Sequence, residues 1–111
     1  MEIMTREQDK VTILTISGEI EIYNAGHLKA ALQQMLDKGQ NRLVLNMEEI
    51  PFIDSTGIGA LLLMVPLIRK AGGDIKLAAV SENVLKVFQI TQLSKFFQIY
   101  DNDTEAVKAF R

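Results

Sequence analysis

Three short aliphatic, β-branched runs lie at residues 11–16, 43–47 and 75–80, and a segment of helical period follows each. Strands alternating with helices of this length favour one architecture, a small, mostly parallel sheet with helices packed on it. After Asn24, a favourable N-cap residue, Leu28, Ala31, Leu32, Met35 and Leu36 recur three and four apart, and Gly39 supplies a stop. Ile58, Leu61, Leu62, Val65 and Ile68 form a second stripe, ended by Ala71-Gly72-Gly73. Pro66 falls inside this stripe and is expected to kink the helix or mark its last turns. Ser81 is expected to cap a third helix carrying Val84, Leu85, Phe88 and Ile90. Asp103 or Thr104 is expected to cap a last helix with Ala106, Val107 and Phe110. Leu93, Phe96 and Phe97 suit a short turn or helix, and residues 98–100 a short edge strand. Residues 3–5 suit a brief leading strand with a turn at 8–10, and residues 48–52, with Pro51, a loop. The order β-β-α-β-α-β-α-α predicts an α/β fold of four to five strands and about four to five helices.

The 111 residues, 48% of them hydrophobic, are one domain's worth of chain, so residues 1–111 are expected to share one core. The absence of cysteine excludes disulfides, thiolate zinc sites and thiol catalysis, and a single histidine excludes a His-rich metal site. No cofactor or metal is therefore expected. Twelve basic against fourteen acidic residues leave a net charge of −2. Segments 11–28 and 43–68 contain no Lys or Arg but hold Glu19, Glu21, Glu48, Glu49 and Asp54. If these segments meet, one face is acidic, which argues against nucleic acid and anionic lipid there. The longest uncharged run, residues 55–68, falls short of the ~20 residues of a membrane span. The charged N-terminal stretch lacks the apolar run of a signal peptide, so a cytoplasmic protein is expected. A monomer is the expected oligomeric state, with a weak dimer as the alternative.

In open α/β sheets, ligand and partner sites gather beyond the carboxyl ends of the strands. Two loops qualify, residues 17–24 and 48–57. The second carries Asp54-Ser55-Thr56-Gly57, where loop becomes helix. Two readings fit these residues. Asp, Ser and Thr are favoured caps, because their oxygens accept from free amides of the first turn. A hydroxyl held at a helix start also suits a phosphorylation switch, since the amides and dipole there accommodate phosphate. That modification adds about −1.5 to −2 charge. Beside Asp54, and near Glu19, Glu21 and Glu48, it would repel a partner while leaving the fold intact.

Catalytic readings fare worse. Ser55 lacks the G-x-S-x-G elbow, since position 53 is Ile, and its only candidate base is His27. Gly57-x-Gly59 lacks the third glycine of a dinucleotide loop, and no phosphate-binding G-x-x-x-x-G-K-[ST] occurs. A small hydrolase using Ser55 with His27 remains the competing enzyme reading.

The sequence Asp54-Ser55-Thr56-Gly57-Ile58-Gly59 after an apolar strand resembles the signature loop of the STAS domain family, and most closely its stand-alone bacterial anti-sigma factor antagonists. Ile16-Ser17-Gly18-Glu19-Ile20, residues 43–46, Ala71-Gly72-Gly73 with the following strand, and residues 87–97 resemble further family segments. The resemblance covers nearly the whole chain and implies the STAS fold. It also implies a regulator that is not an enzyme. In that class the unphosphorylated antagonist binds an anti-sigma factor that is also a serine/threonine protein kinase with a histidine-kinase-like ATPase fold. Binding releases the sigma factor, the kinase then phosphorylates the antagonist, and a PP2C-type phosphatase reverses this. Carried over, Ser55 is the phosphoacceptor and Thr56 the lesser candidate, while Glu19, Glu21, Asp54, Ser55, Thr56, Gly57 and Ile58 form the partner-binding segment. Two features depart from the family pattern. Glu21 stands where many members have Asp, and Pro66 lies in the helix that helps form the partner surface. Similar modules also serve partner-switching pathways other than sigma-factor release, in biofilm, secretion, stress-sensing or lipid-transport systems.

Overall fold

The computed structural model describes residues 1–111. The chain opens with a hairpin of β1 (Glu2–Gln8) and β2 (Val11–Ser17). Asp9 and Lys10 alone join them, at φ of 53° and 66°, the left-handed pair whose twist matches that of the flanking strands. Then come α1 (Ala25–Asp37), β3 (Arg42–Glu49), α2 (Ser55–Lys70), β4 (Asp74–Ala78) and α3 (Glu82–Ile90). A 3-10 turn at Leu93–Lys95, β5 (Gln98–Tyr100) and α4 (Asp103–Lys108) complete the chain. The sheet order is β1-β2-β3-β4-β5, with β1 antiparallel to β2 and the other neighbours parallel.

Strand alternation sorts the core onto two faces. Leu14, Ile16, Leu43, Leu45, Ile75 and Leu77 pack with Leu28, Leu32, Leu61, Val65, Ile68 and Phe88 of α1, α2 and α3. Each of these fully buried apolar side chains contributes about 2 kcal/mol. The other face is covered more thinly, by Ala106 and Val107 of α4 over Val11, Ile13, Val44 and Ala78. Lys76 on this face is the only charged residue buried, at 6% exposure. Its ammonium meets Gln98, lies 3.6 Å from Asp74 and sits 4.7 Å from the centre of the Phe110 ring, so its charge is matched where water is excluded.

The predicted α/β order holds, with several boundaries corrected. β1 runs seven residues rather than three. Glu48 and Glu49, expected in a loop, prolong β3, because the chain after β2 continues beside them. β4 ends at Ala78, since Ala79 turns to φ 54° while its N–H bonds Tyr100 O. Ile90 is 82% exposed and outside the core. The last helix is capped by neither Asp103 nor Thr104 but by Asn102, whose side chain accepts from the Glu105 N–H at 2.9 Å. Ser81 does precede α3, yet its hydroxyl donates to Ile50 O at 2.8 Å instead of capping. α2 runs through Pro66 to Lys70; the ring lies on the exposed face, where no packed neighbour must yield to it.

Candidate functional site

The two Lys- and Arg-free segments meet. Beyond the carboxyl ends of β2 and β3 their backbones run side by side. Gly18 N–H donates to Glu49 O, Ile20 N–H to Phe52 O and Asp54 N–H to Ile20 O, each at 3.0 Å. The carboxylates of Glu19, Glu21, Glu48, Glu49 and Asp54 therefore collect at one end of the sheet, and neither segment contributes a basic residue to offset them.

Asp54 holds the junction together with both oxygens. Oδ1 accepts from Gly57 N–H at 2.9 Å, capping α2, and Oδ2 accepts from Ile22 N–H at 3.1 Å, tethering the preceding loop. Ser55 is the first residue of α2, and both it and Thr56 are exposed. A phosphate on Ser55 would lie beside free first-turn amides, as anion binding at a helix start requires, but also beside the Asp54 carboxylate.

Gly57 and Ile58 are buried beneath this surface. A Cβ at Gly57 would fall 2.6 Å from Ile20 Cγ2 and 2.8 Å from Ile53 Cγ1, so only glycine lets the 18–24 loop close onto the helix. Gly57 and Ile58 therefore lie beneath the exposed Ser55 and Thr56. Glu19 is exposed and Glu21 half-buried. Asn24 occupies the N-cap position of α1, but its side chain does not cap. It accepts from Glu21 N–H at 2.9 Å and donates to Glu19 O at 2.7 Å, pinning the loop that carries both glutamates. His27 is exposed in the first turn of α1, and its ring is not hydrogen-bonded to the Ser55 hydroxyl.

The structure adds an apolar rim. Ile22 and Tyr23 stand 64% and 93% exposed on the loop tethered by Asp54, and Phe52 is exposed across from them. Along α2, Gly59, Leu63, Pro66 and Leu67 continue the exposed face that starts at Ser55 and Thr56. Large apolar side chains exposed on one side of a domain are the mark of an interaction surface. Its trace in the sequence is the unbroken run at residues 60–68, too apolar for a helix with a single buried face.

Asp54→Ala removes the cap and the loop tether together. It is expected to lower stability by about 1–2 kcal/mol and to broaden the amide resonances of Ile22 and Tyr23. Thermal melts and two-dimensional NMR check both effects; unchanged Ile22 and Tyr23 resonances would contradict the tether.

A family model described as the STAS domain matches residues 2–106. The anti-sigma-B factor antagonist of Bacillus subtilis is 31% identical over 86 residues, 78% of this chain and 78% of that protein. The crystal structure of TM1081 from Thermotoga maritima superposes with a TM-score of 0.90 at 30% identity, over 96% of this chain and 92% of that one. SpoIIAA of Bacillus in its phosphorylated form shares the fold, with a TM-score of 0.75 at 20% identity over 99% of this chain and all of that one. The mixed five-stranded sheet, the Asp-Ser-Thr-Gly helix start and a family match over almost its whole length place this chain in the STAS domain family.

Proposed function

We propose that this protein is an anti-sigma factor antagonist, one regulatory module over residues 1–111, switched by phosphorylation of Ser55. The observation that carries this reading is the Ser55 hydroxyl itself. It is exposed at the first position of α2, beside the clamped Asp54 and at the border of the Ile22, Tyr23, Leu63 and Leu67 rim. The names of its relatives, such as the Bacillus subtilis anti-sigma-B factor antagonist, support the partner class. In the unphosphorylated state the apolar rim docks on an anti-sigma factor that is also a serine kinase, and the sigma factor is released. The Ser55 hydroxyl then attacks the γ-phosphorus of ATP held by that kinase. The bond to the bridging oxygen breaks, ADP leaves, and the hydroxyl proton passes to a base on the kinase. The new dianion lands among Asp54, Glu19 and Glu21 and repels the partner. A PP2C-type phosphatase restores the hydroxyl. The chain is thus ligand and substrate rather than catalyst, and it works in the cytoplasm, where its partners act.

Intact mass after incubation with native lysate and ATP tests this reading. One added phosphoryl group is expected on the wild type and none on Ser55→Ala. A phosphoryl group that persists in Ser55→Ala, or its absence from both proteins, would overturn the assignment.

A further inference from the structure

β1 is a sheet edge, seven residues long, that pairs only with β2. The two-residue turn at Asp9-Lys10 makes Gln8 and Val11 the closing hydrogen-bonded pair of the hairpin. From there the ladder alternates, so Arg6, Met4 and Glu2 also bond back to β2. The N–H and C=O groups of Ile3, Thr5 and Glu7 point instead to the open side. A strand of this length with free backbone groups is a template for another strand.

We propose that this edge pairs with a second copy of the same chain, β1 against β1 in antiparallel register, with the two-fold axis at Met4. In this register Ile3 lies opposite the partner's Thr5, so the outward backbone groups of both strands bond each other. The side chains of the other set fall opposite one another on the thinly covered face. Met4 meets its own copy, and Glu2 and Arg6 each meet the opposite charge on the partner strand. Cross-strand pairs without backbone bonds between them bring their side chains closest, and opposite charges there are favourable.

Three observations fit this partner better than an unrelated strand. Met4 is 69% exposed with no neighbouring helix over it. Glu2 has no ion pair within its own chain, and the Arg6 guanidinium keeps donors to spare beyond its bonds to Asp103 and Gln8. A shift by two residues, the smallest that keeps outward backbone groups paired, would set Arg6 against Met4 and Glu2 against Gln8 and lose both ion pairs, so the charges favour the register centred on Met4. The pairing leaves the Ser55 face of α2 uncovered, so it does not compete with the partner proposed above.

Sedimentation velocity of the untagged full chain over a concentration series tests the proposal. Wild type is expected to move from the mass of one chain toward twice that mass as concentration rises. Glu2→Arg, which sets like charges opposite each other at both ends, is expected to weaken association at least about tenfold. The double variant Glu2→Arg, Arg6→Glu is expected to restore association in part, because opposite charges again meet at both ends while the Arg6–Asp103 ion pair within each chain is lost. Thr5→Pro removes an outward donor without touching the β1–β2 ladder and is expected to abolish association while the thermal melt stays cooperative. A wild type that stays at one chain's mass throughout would overturn the proposal. So would association that Glu2→Arg leaves unchanged, or a double variant that folds but does not re-associate.

Discussion

Ser55→Asp is expected to weaken binding of the anti-sigma partner about 100-fold or more, while Ser55→Ala binds like the wild type and does not switch. The physical ground is charge at a desolvated contact. The substituted carboxylate would stand next to Asp54, whose oxygens already serve Gly57 and Ile22, and close to Glu19 and Glu21. Desolvating an added carboxylate that finds no positive partner among these acidic neighbours costs several kcal/mol on binding, and each 1.4 kcal/mol is a factor of ten. Fold stability should hardly move, because an acidic residue in the first turn complements the helix dipole. Paired baits of wild type and Ser55→Asp in a native lysate, read by mass spectrometry, check the first effect; a thermal melt checks the second. Equal capture of a kinase by both baits would sink the electrostatic switch. A large drop in melting temperature would instead show that Ser55 is packed rather than presented.

Gly73→Ala is expected to be the most damaging single-methyl change in the chain. A Cβ there would lie 1.8 Å from Asn41 O and 2.6 Å from Asn41 C, both backbone atoms. Neither side is free to yield. Asn41 O accepts from Asp74 N–H at 2.9 Å, the Asn41 side chain holds Ala71 O at 2.8 Å, and Gly73 N–H closes α2 on Ile68 O at 3.0 Å. The methyl must separate the end of α2 from the start of β3, and with it the β3–β4 pairing that begins at Arg42 and Asp74. A loss of about 3 kcal/mol or more is expected, about 15 °C in a domain of this size. Gly72→Ala is the control. Gly72 has open space around it and only its φ of +90° to defend, so about 1 kcal/mol is expected. Similar melts for the two variants would mean that the contact with Asn41 is not as close as it stands.

Much of the site was legible because its signals are local. Asp followed by Ser, Thr and Gly before an apolar stripe marks a helix start wherever it occurs, and Asp54 is indeed the cap of α2. The resemblance carried by those residues named the family. Local signals also misled. Asn24 and Ser81 are good caps by type, yet each spends its side chain on a distant or loop partner, Glu19 O and Glu21 N–H in one case and Ile50 O in the other. Ile90 fits the helical period but finds no element opposite it.

The sequence by itself determined the strands, the helices and their order, because β-branched runs and spacings of three and four residues act through neighbours in the chain. It determined the acidic content of two loops as well. Only the tertiary structure decided that these loops run together, that the second oxygen of Asp54 reaches Ile22, and that Gly57 is demanded by Ile20. It alone decided which apolar residues were left over as a rim and which strand was left as an edge. Such facts depend on which segments meet across the sheet. A pairing between residues more than 30 positions apart leaves no mark in the local pattern of either partner.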